Sequence, residues 1–323
     1  MLNVNKLRLR DGDKVAIAAT ARKVTPDEIA CAVRTLESWG LSVLVPEGLF
    51  LSENQFAGSD NHRAALLQNL LDDPDIRAIF CARGGYGTVR ILDRLDLALF
   101  VDHPKWIVGY SDVTALHSHM ARHTGIPTIH GIMPINFTSR AGTPACHVAG
   151  EDANMPCQPA LASLHRCLFD GSWQLQTVAS EQTAPLFRQG ECHGITVGGN
   201  LSVLYSLLGS ESDADTDGKI LLLEDLDEYL YHIDRMMMAL KRAGKLRNLA
   251  GLAVGQFTEM HDNSVPFGRS ALQIIFDAVA EYDYPVAIGF NFGHIGTNNE
   301  ALLLNSNASL HVSDNVAVLA GTE

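Results

Sequence analysis

The sequence has few of the features that mark metal-binding, redox-active or disulfide-stabilised proteins. Six cysteines occur in 323 residues and none forms a C-x-x-C pair, which argues against a zinc ribbon or a thioredoxin-type site. Six thiols in a chain of this length are also too sparse for a disulfide scaffold. No H-E-x-x-H or other compact ligand motif is present. We therefore expect neither a metal nor a cofactor.

Basic residues and long apolar runs are also scarce. The chain has 24 Lys and Arg against 37 Asp and Glu, a formal net charge of −13. Such a surface repels phosphate backbones, so nucleic acid is not an expected partner. The apolar stretches are short and broken by charges or glycines, and the N-terminal residues lack the apolar run of a signal peptide. We expect a cytoplasmic enzyme with no membrane partner.

The first 130 residues alternate between strand and helix patterns. β-rich runs cover residues 14–20, 41–45, 76–81 and 106–110, and a fifth strand is expected at 128–131. Between the first two, Thr25 and Glu28 form a capping box with Pro26 in the first turn, which predicts a helix start. Apolar strands separated by helices are typical of a parallel sheet covered on both faces.

The remaining sequence predicts a second domain. Residues 139–160 are rich in small residues, Pro and Gly and show no hydrophobic period, which predicts a linker or long surface loop. Antiparallel strands are expected at 173–178 and around 184–187. We therefore predict an α/β protein with a mostly parallel N-terminal domain (1–138) and a more mixed C-terminal domain (161–323).

The segment Gly109-Tyr110-Ser111-Asp112 lies where a predicted buried strand gives way to a helix. A serine on such a turn faces outward at the carboxyl end of the sheet, where open α/β sheets bind ligands. The Asp112 amide can donate to an oxyanion there. The match to the G-x-S-x-G elbow is incomplete because Val113 replaces the last glycine. The alternative interpretation is that Ser111 only caps the helix.

A glycine-rich loop, RGGYG at residues 83–87, follows the preceding strand. Its amides can face a ligand closely, either as an anion site or as an oxyanion donor. It matches neither the P-loop nor the G-x-G-x-x-G pattern. A purely structural tight turn is the alternative.

A nucleophilic serine needs a base and a carboxylate that orients the base. Among 13 histidines, His294 stands out because it follows a strand within a Gly-His-Ile-Gly turn. His117 and His119 are on the helix after Ser111 and are expected to face solvent or neighbouring helices. The carboxylate is drawn from the acidic run after the strand at 220–223, and the sequence alone does not choose among its four members: Glu224, Asp225, Asp227 and Glu228.

Five motifs in order resemble the LD-carboxypeptidases, or muramoyltetrapeptide carboxypeptidases, and their relatives, the microcin-immunity serine peptidases. They are the RGGYG loop, the GYSD turn, Gly198-Gly199-Asn200-Leu201, Leu223-Glu224-Asp225 with Ile233-Asp234-Arg235, and Phe292-Gly293-His294. The resemblance extends from about residue 11 to about residue 318. It implies a homodimeric serine peptidase that needs no metal, with a doubly wound, mostly parallel N-terminal α/β domain and a smaller β-rich C-terminal domain.

Carried over by motif, the resemblance implies Ser111 as nucleophile, Glu224 as orienting carboxylate and His294 as general base. It implies an oxyanion hole from the amides of Gly85 and Asp112. The implied reaction is cleavage of the L,D bond to the terminal D-alanine of a murein tetrapeptide during cell-wall recycling.

The implied substrate has a terminal carboxylate, for which Asn200 and Arg235 are candidate partners. A structural ion pair of Arg235 with Asp234 or Glu228 is the alternative. Region 139–159 looks longer than in compact family members.

Two other functions stay open. A microcin-immunity-type peptidase would cleave a peptidyl-adenylate-like amide and would need an aromatic pocket, for which Trp173 is the second-domain tryptophan. A non-enzymatic module would hold a phosphate or nucleotide on the RGGYG loop and would bind its ligand without Ser111.

Overall fold

The computed structural model describes residues 4–137 and 158–322. Its first part contains five strands: β1 (Lys14–Ala18), β2 (Ser42–Leu44), β3 (Ile76–Cys81), β4 (Trp106–Gly109) and β5 (Thr128–His130). Four helices connect them: α1 (Pro26–Ser38), α2 (Asp60–Asp72), α3 (Ala98–Asp102) and α4 (Thr114–Thr124). The predicted α/β alternation is confirmed, and Thr25 caps α1 in the predicted capping box with Glu28.

The second part contains strands β6 (Gln174–Val178), β7 (Gly190–Asn200), β8 (Ile220–Leu226), β9 (Gly251–Thr258), β10 (Val286–Ile288), β11 (Leu302–Leu304), β12 (Asn307–Val312) and β13 (Val316–Gly321). Its helices are α5 (Pro159–Phe169), α6 (Leu201–Ser206), α7 (Leu230–Arg242) and α8 (Ala271–Ala278). The predicted loop at 139–160 falls mostly on residues outside the described ranges, and its last residues begin α5.

The N-terminal sheet has the strand order β11-β5-β4-β3-β1-β2. The five strands from the first part run parallel. Burial is nearly continuous along β1, β3, β4 and β5, as is typical of a parallel sheet covered on both faces, whereas the edge strand β2 is partly exposed. β11 comes from the end of the chain and pairs antiparallel with β5. The short loop 289–301, which carries His294, therefore runs from one sheet to the other.

The C-terminal sheet has the order β10-β9-β8-β7-β12-β13-β6. β7 to β10 are parallel, whereas β12, β13 and β6 are antiparallel. The sheet is therefore mixed, and α7 and α8 pack on its parallel half around a buried cluster that includes Ile233, Met237 and Ile275. The predicted fold class is confirmed.

One predicted strand is wrong. Residues Ala184–Leu186 form a single 3₁₀ turn instead of an extended segment. Pro185 stands at the start of this turn, where its fixed φ is favourable and its missing N–H costs no hydrogen bond. The strand at Gln174–Val178 is confirmed as antiparallel.

Helix α5 packs against the N-terminal part of the protein. The ring of Trp39 lies edge-on to His165 and Phe169, with centroids 5.1 and 6.4 Å apart, and the amide of Leu9 donates to the carbonyl of Leu168. Within the described residues, no helix combines the length and the apolar character that a membrane crossing requires.

Candidate active site

Ser111 lies directly after β4, at the carboxyl edge of the parallel sheet, and opens a 3₁₀ turn that leads into α4. Its φ is +62°, in the left-handed region that serine rarely adopts. Such strain is typical of a nucleophile on a strand–turn–helix elbow, where it pushes the side chain away from the backbone. The predicted geometry of the turn is therefore present even though the last elbow glycine is missing.

The residue that replaces this glycine has its own packing role. A Cβ placed on Gly109 would lie 2.8 Å from a methyl group of Val113, so any side chain at 109 would collide with it. The glycine before the serine lets the helix start pack closely on the strand end. His117, one helical turn later, contacts the carbonyl of Gly109 through Nε2 at 2.9 Å.

The RGGYG loop lies beside the nucleophile. A Cβ on Gly84 would be 3.2 Å from Ser111 Oγ and 3.5 Å from the Asp112 amide nitrogen, so the loop backbone passes directly over the elbow. Asp112 is buried, and its Oδ2 accepts a 2.9 Å hydrogen bond from the Thr88 amide at the end of the loop. The side chain of Asp112 thus fixes the end of the glycine loop to the elbow, so the two predicted oxyanion donors, the amides of Gly85 and Asp112, belong to connected segments.

His294 and Glu224 form a hydrogen bond of 2.7 Å between Nδ1 and Oε2. Glu224 is fully buried at the end of β8, and the backbone of Gly293 (φ +113°) approaches it so closely that a Cβ there would lie 2.9 Å from Oε2. The Tyr110 ring lies 4.9 Å from the His294 ring. Ser111 Oγ forms no hydrogen bond within residues 4–137 and 158–322.

The surroundings of His294 favour its protonated form. Burial opposes protonation, but the hydrogen bond to Glu224 and the charges of Glu224, Asp225 and Glu259 outweigh it and raise the pKa of His294. The carboxylate also keeps the proton of the neutral ring on Nδ1, which leaves Nε2 as an acceptor. A base with this arrangement can take a proton from a hydroxyl and hold the resulting positive charge.

The structure separates the four carboxylates of the acidic run, because each has a different partner. Glu224 contacts His294. Asp225 is also buried, but its Oδ1 and Oδ2 accept hydrogen bonds of 2.9 Å from the side-chain amide of Asn200 and the backbone amide of Ser202. Burial, followed by the charge of Glu224, raises the pKa of Asp225 to about 7 against these hydrogen bonds.

The other two carboxylates point away from His294. Asp227 is exposed and bonds Nε2 of His261 at 2.6 Å, while Glu228 bonds Nδ1 of His232 at 2.6 Å. The sequence alone could not choose the carboxylate that contacts His294, because the turn between β8 and α7 determines which histidine Asp227 and Glu228 each contact.

The candidate substrate contacts occupy different environments. Asn200 caps α6: its Oδ1 accepts from the amide of Val203 and its Nδ2 donates to Asp225, so both ends of the amide are used inside the protein. Arg235 is exposed on α7, and its guanidinium lies over the Tyr231 ring at 5.2 Å. Neither of the expected ion-pair partners, Asp234 or Glu228, holds Arg235 within the described residues.

Two histidines of α4 do not face solvent. His117 is buried against Gly109, and burial lowers its pKa to about 4. His119 is buried and bonds Ser212 Oγ at 2.9 Å. Among the residues that the structure describes, no group of three or more His, Cys, Asp or Glu side chains is arranged to hold a metal ion.

A polar connection between the two halves was not predicted from the sequence. The backbone amide of Asn200 donates to Oγ1 of Thr114, three residues after the nucleophile, at 3.0 Å. The side-chain amide of Asn200 donates to Asp225 Oδ1 at 2.9 Å. Gly199 (φ +132°) permits this approach, since a Cβ there would lie 2.5 Å from Thr114 Oγ1. Asn200 and Asp225 stand in the GGN and LED motifs of the sequence, but their hydrogen bond to each other and the contact with Thr114 are visible only in the structure.

Family models match both parts of the chain. The LD-carboxypeptidase N-terminal domain matches residues 15–131, and the LD-carboxypeptidase C-terminal domain matches residues 193–310. The chain belongs to the LD-carboxypeptidase family. It is therefore a peptidase, and the serine type follows from the family.

Relatives of the LD-carboxypeptidase family align over most of their length. A probable murein peptide carboxypeptidase of Bacillus subtilis is 34% identical over 98% of this chain and 95% of the relative. The murein tetrapeptide carboxypeptidase of Pseudomonas aeruginosa is 28% identical over 89% of this chain and 90% of the relative.

Solved structures share the fold. The muramoyltetrapeptide carboxypeptidase from Oxalobacter formigenes superposes with a TM-score of 0.80 at 23% identity, covering 96% of this chain and 99% of that one. The microcin C7 self-immunity protein MccF in its wild-type apo state gives 0.80 at 19% identity, with 98% and 97% covered. At these identities the likeness establishes the two-domain fold alone.

Proposed function

We propose that this LD-carboxypeptidase family member hydrolyses the L,D bond to the terminal D-alanine of murein tetrapeptides, with Ser111, His294 and Glu224 as the catalytic triad. The observation that carries the proposal is the 2.7 Å hydrogen bond from His294 to the buried Glu224, with the His294 ring 4.9 Å from the ring of Tyr110, the residue that precedes the strained Ser111. The substrate is inferred from relatives that are named murein peptide and murein tetrapeptide carboxypeptidases.

The acylation step follows from the roles of these side chains. His294 Nε2 takes the proton of Ser111 Oγ while the oxygen attacks the scissile carbonyl carbon. The buried carboxylate of Glu224 stabilises the imidazolium that forms. The C–N bond then breaks, and His294 gives the proton to the leaving amine, which departs as free D-alanine.

The developing oxyanion needs donors that are already in position. We assign the backbone amides of Gly85 and Asp112, since the glycine loop passes over Ser111 and the Asp112 side chain ties the loop end to the elbow. Donors fixed in this way cost no reorganisation at the moment of reaction. In deacylation, water gives a proton to His294 and attacks the ester carbonyl. The ester C–O bond then breaks, and His294 returns the proton to Ser111 Oγ.

Cytoplasmic location and a homodimeric state belong to the same proposal. Both are supported by the resemblance to enzymes that recycle cell-wall fragments, and size-exclusion chromatography with light scattering would test the dimer. Asn200 and Arg235 stay predictions as substrate contacts. We expect them to matter less than the triad, because Asn200 is bonded internally and Arg235 lies over Tyr231.

The alternative function, cleavage of a peptidyl-adenylate-like amide, has less support. Its sequence argument rested on Trp173, which is buried, with its indole against Gly321 at the antiparallel edge of the C-terminal sheet. Trp173 therefore cannot stack on a nucleobase in the site. Incubating one purified sample with both substrates would separate the two activities.

The experiment that tests the proposal compares three peptides under one set of conditions: a murein tetrapeptide ending in D-alanine, its L-alanine analogue and its C-terminal amide. Mass spectrometry follows the loss of the terminal residue. We expect fast cleavage of the first peptide and much slower cleavage of the other two. Equal rates on the free acid and the amide would contradict a carboxypeptidase.

A further inference from the structure

Three neighbouring parallel strands deliver three different groups to the same edge of the N-terminal sheet. β4 leads to Ser111, β3 leads to the glycine loop, and β1 leads to a segment that carries Arg22. Carboxyl ends of adjacent parallel strands form the ligand-binding crevice in open α/β sheets. Arg22 therefore lies at the same edge of the sheet as the nucleophile, although it belongs to no sequence motif.

Two successive glycines of the loop pack against the nucleophile and against Arg22. A Cβ on Gly84 would lie 3.2 Å from Ser111 Oγ, and a Cβ on Gly85 would lie 2.1 Å from Cδ and 3.4 Å from Nε of Arg22. The arginine stem thus lies against the backbone of Gly85, one residue along from the glycine that faces Ser111. Gly85 has φ +109°, so the loop turns here toward the arginine.

The guanidinium of Arg22 is available, unlike those of its neighbours. Arg22 is exposed, and its guanidinium forms no hydrogen bond or ion pair within the described ranges. Arg83 is held by Glu28 at 3.5 Å, and Arg90 forms hydrogen bonds of 2.7 to 3.0 Å to Asp60. Arg83, which begins the glycine loop, and Arg90, which follows it, are therefore already paired.

The backbone around Arg22 is fixed. Arg22 forms an antiparallel bridge with Phe56, and the neighbouring residues add two hydrogen bonds to the same segment, from the Ala57 amide to Ala21 and from the Lys23 amide to Gln55, at 3.1 and 3.0 Å. A side chain on such a fixed segment loses little backbone freedom when it binds a ligand. This arrangement suits a recognition residue better than a freely moving surface arginine.

We propose that Arg22 binds the free α-carboxylate of the residue that is removed. The inference rests on the proposed function and names the part of the site that makes it a carboxypeptidase. In a peptide with one residue beyond the scissile bond, the carboxylate lies about 3.5 Å further along the chain than the carbonyl that Ser111 attacks. Adjacent residues of the glycine loop contact the two groups: Gly84 packs on Ser111 and Gly85 packs on Arg22.

The chemistry of the two groups also matches. A guanidinium can hold a carboxylate through two parallel N–H donors, and an amide terminus offers only one carbonyl oxygen and no charge. In a protein with a net charge of −13, an unpaired cation against the glycine loop that packs on the nucleophile also attracts an anionic substrate. Arg22 thus explains why the enzyme would act at a chain end.

The test compares the tetrapeptide free acid and its C-terminal amide as substrates of the wild type, Arg22→Ala and Arg22→Lys. We expect Arg22→Ala to lower kcat/KM on the free acid about 10- to 100-fold, because a charge-assisted hydrogen bond is lost. On the amide, kcat/KM should stay within about threefold of the wild-type value. Arg22→Lys should give an intermediate preference, because an ammonium keeps the charge and loses the fork.

Lys23→Ala is the matched control. Lys23 is the next residue, is exposed, carries the same charge and bonds Ser52 Oγ at 3.0 Å. It should keep the preference of the wild type. Thermal unfolding of each variant checks that the fold is intact.

The outcomes separate the inference from the proposed function. A wild type that prefers the acid, together with an Arg22→Ala variant that keeps this preference, would overturn the inference alone. An equal loss on acid and amide would also overturn it, since a structural role predicts that pattern. A wild type that cleaves acid and amide at equal rates would overturn the proposed function and this inference with it.

Discussion

Glu224 on β8 and His294 in the loop between β10 and β11 are 70 residues apart in sequence and meet through a 2.7 Å hydrogen bond in which the carboxylate is fully buried. The contact requires Gly293, because the backbone at this position passes too close to Glu224 for any side chain. A buried carboxylate beside an imidazole serves chiefly to hold the ring and to stabilise its charge.

Replacing this carboxylate by an amide should impair catalysis and spare binding. Glu224→Gln keeps the size and an acceptor oxygen, but it removes the charge that stabilises protonated His294. We expect kcat to fall about 10³–10⁴-fold with little change in KM. Asp227→Asn is the control, because Asp227 bonds His261 and not His294. A larger loss in the control than in Glu224→Gln would show that the orienting acid is misassigned.

The pH dependence of kcat/KM should report His294. A general base is active when unprotonated, and its pKa is raised above the ordinary value of 6.5. Activity should therefore fall as the pH decreases through a midpoint above 6.5. Glu224→Gln removes the main cause of the upward shift, so its residual activity should have a lower midpoint. An acid limb that lies below 6.5 in the wild type, or that does not move in the variant, would contradict this role for His294.

Asp225 should affect both stability and rate. It accepts hydrogen bonds from Asn200 and Ser202, and Asn200 in turn contacts Thr114 on the nucleophile helix. Asp225→Ala leaves these donors unpaired, so we expect the free energy of unfolding to fall by about 1–3 kcal/mol.

The rate should fall as well, since the connection between the two halves of the site is lost. Thr114→Val tests the same connection from the other end, because it removes only the hydroxyl that accepts from Asn200. Denaturant unfolding and kcat are measured for both variants. Wild-type stability and rate in both would mean that the connection has no role.

Gly84→Ala should reduce activity more than stability. Gly84 does not need a positive φ, but the added methyl group would lie 3.1 Å from Ser111 Cβ and 3.2 Å from its Oγ. Displacing the nucleophile by a fraction of an ångström should lower kcat about 10- to 100-fold. Circular dichroism and thermal unfolding show whether the fold is preserved. A variant with full activity would mean that the loop does not pack on the nucleophile.

The sequence predicted those parts of the molecule that local patterns specify. Alternating strand and helix signals gave the parallel N-terminal sheet, and the capping box at Thr25 gave a helix start. The position of Ser111 was predicted from the apolar strand that precedes it and the helix that follows it. These features depend on residues close together in the chain, so a single sequence carries them.

Features that depend on distant residues were not accessible in the same way. β11 leaves the C-terminal part and completes the N-terminal sheet beside β5, a pairing that no local pattern encodes. The choice of Glu224 over Asp225 depends on which face of β8 meets the loop of His294. Arg22 belongs to no motif and acquires meaning only because β1, β3 and β4 are neighbours.

The measurement that tests the central claim most directly is the release of terminal D-alanine from a murein tetrapeptide by the wild type and by Ser111→Ala, both with EDTA present. The wild type should release D-alanine at an undiminished rate in the chelator, and Ser111→Ala should be slower by about 10⁴–10⁶-fold with an unchanged fold. A Ser111→Ala variant that keeps more than about a tenth of the activity, or a wild type that EDTA silences and zinc restores, would contradict a serine peptidase at this site.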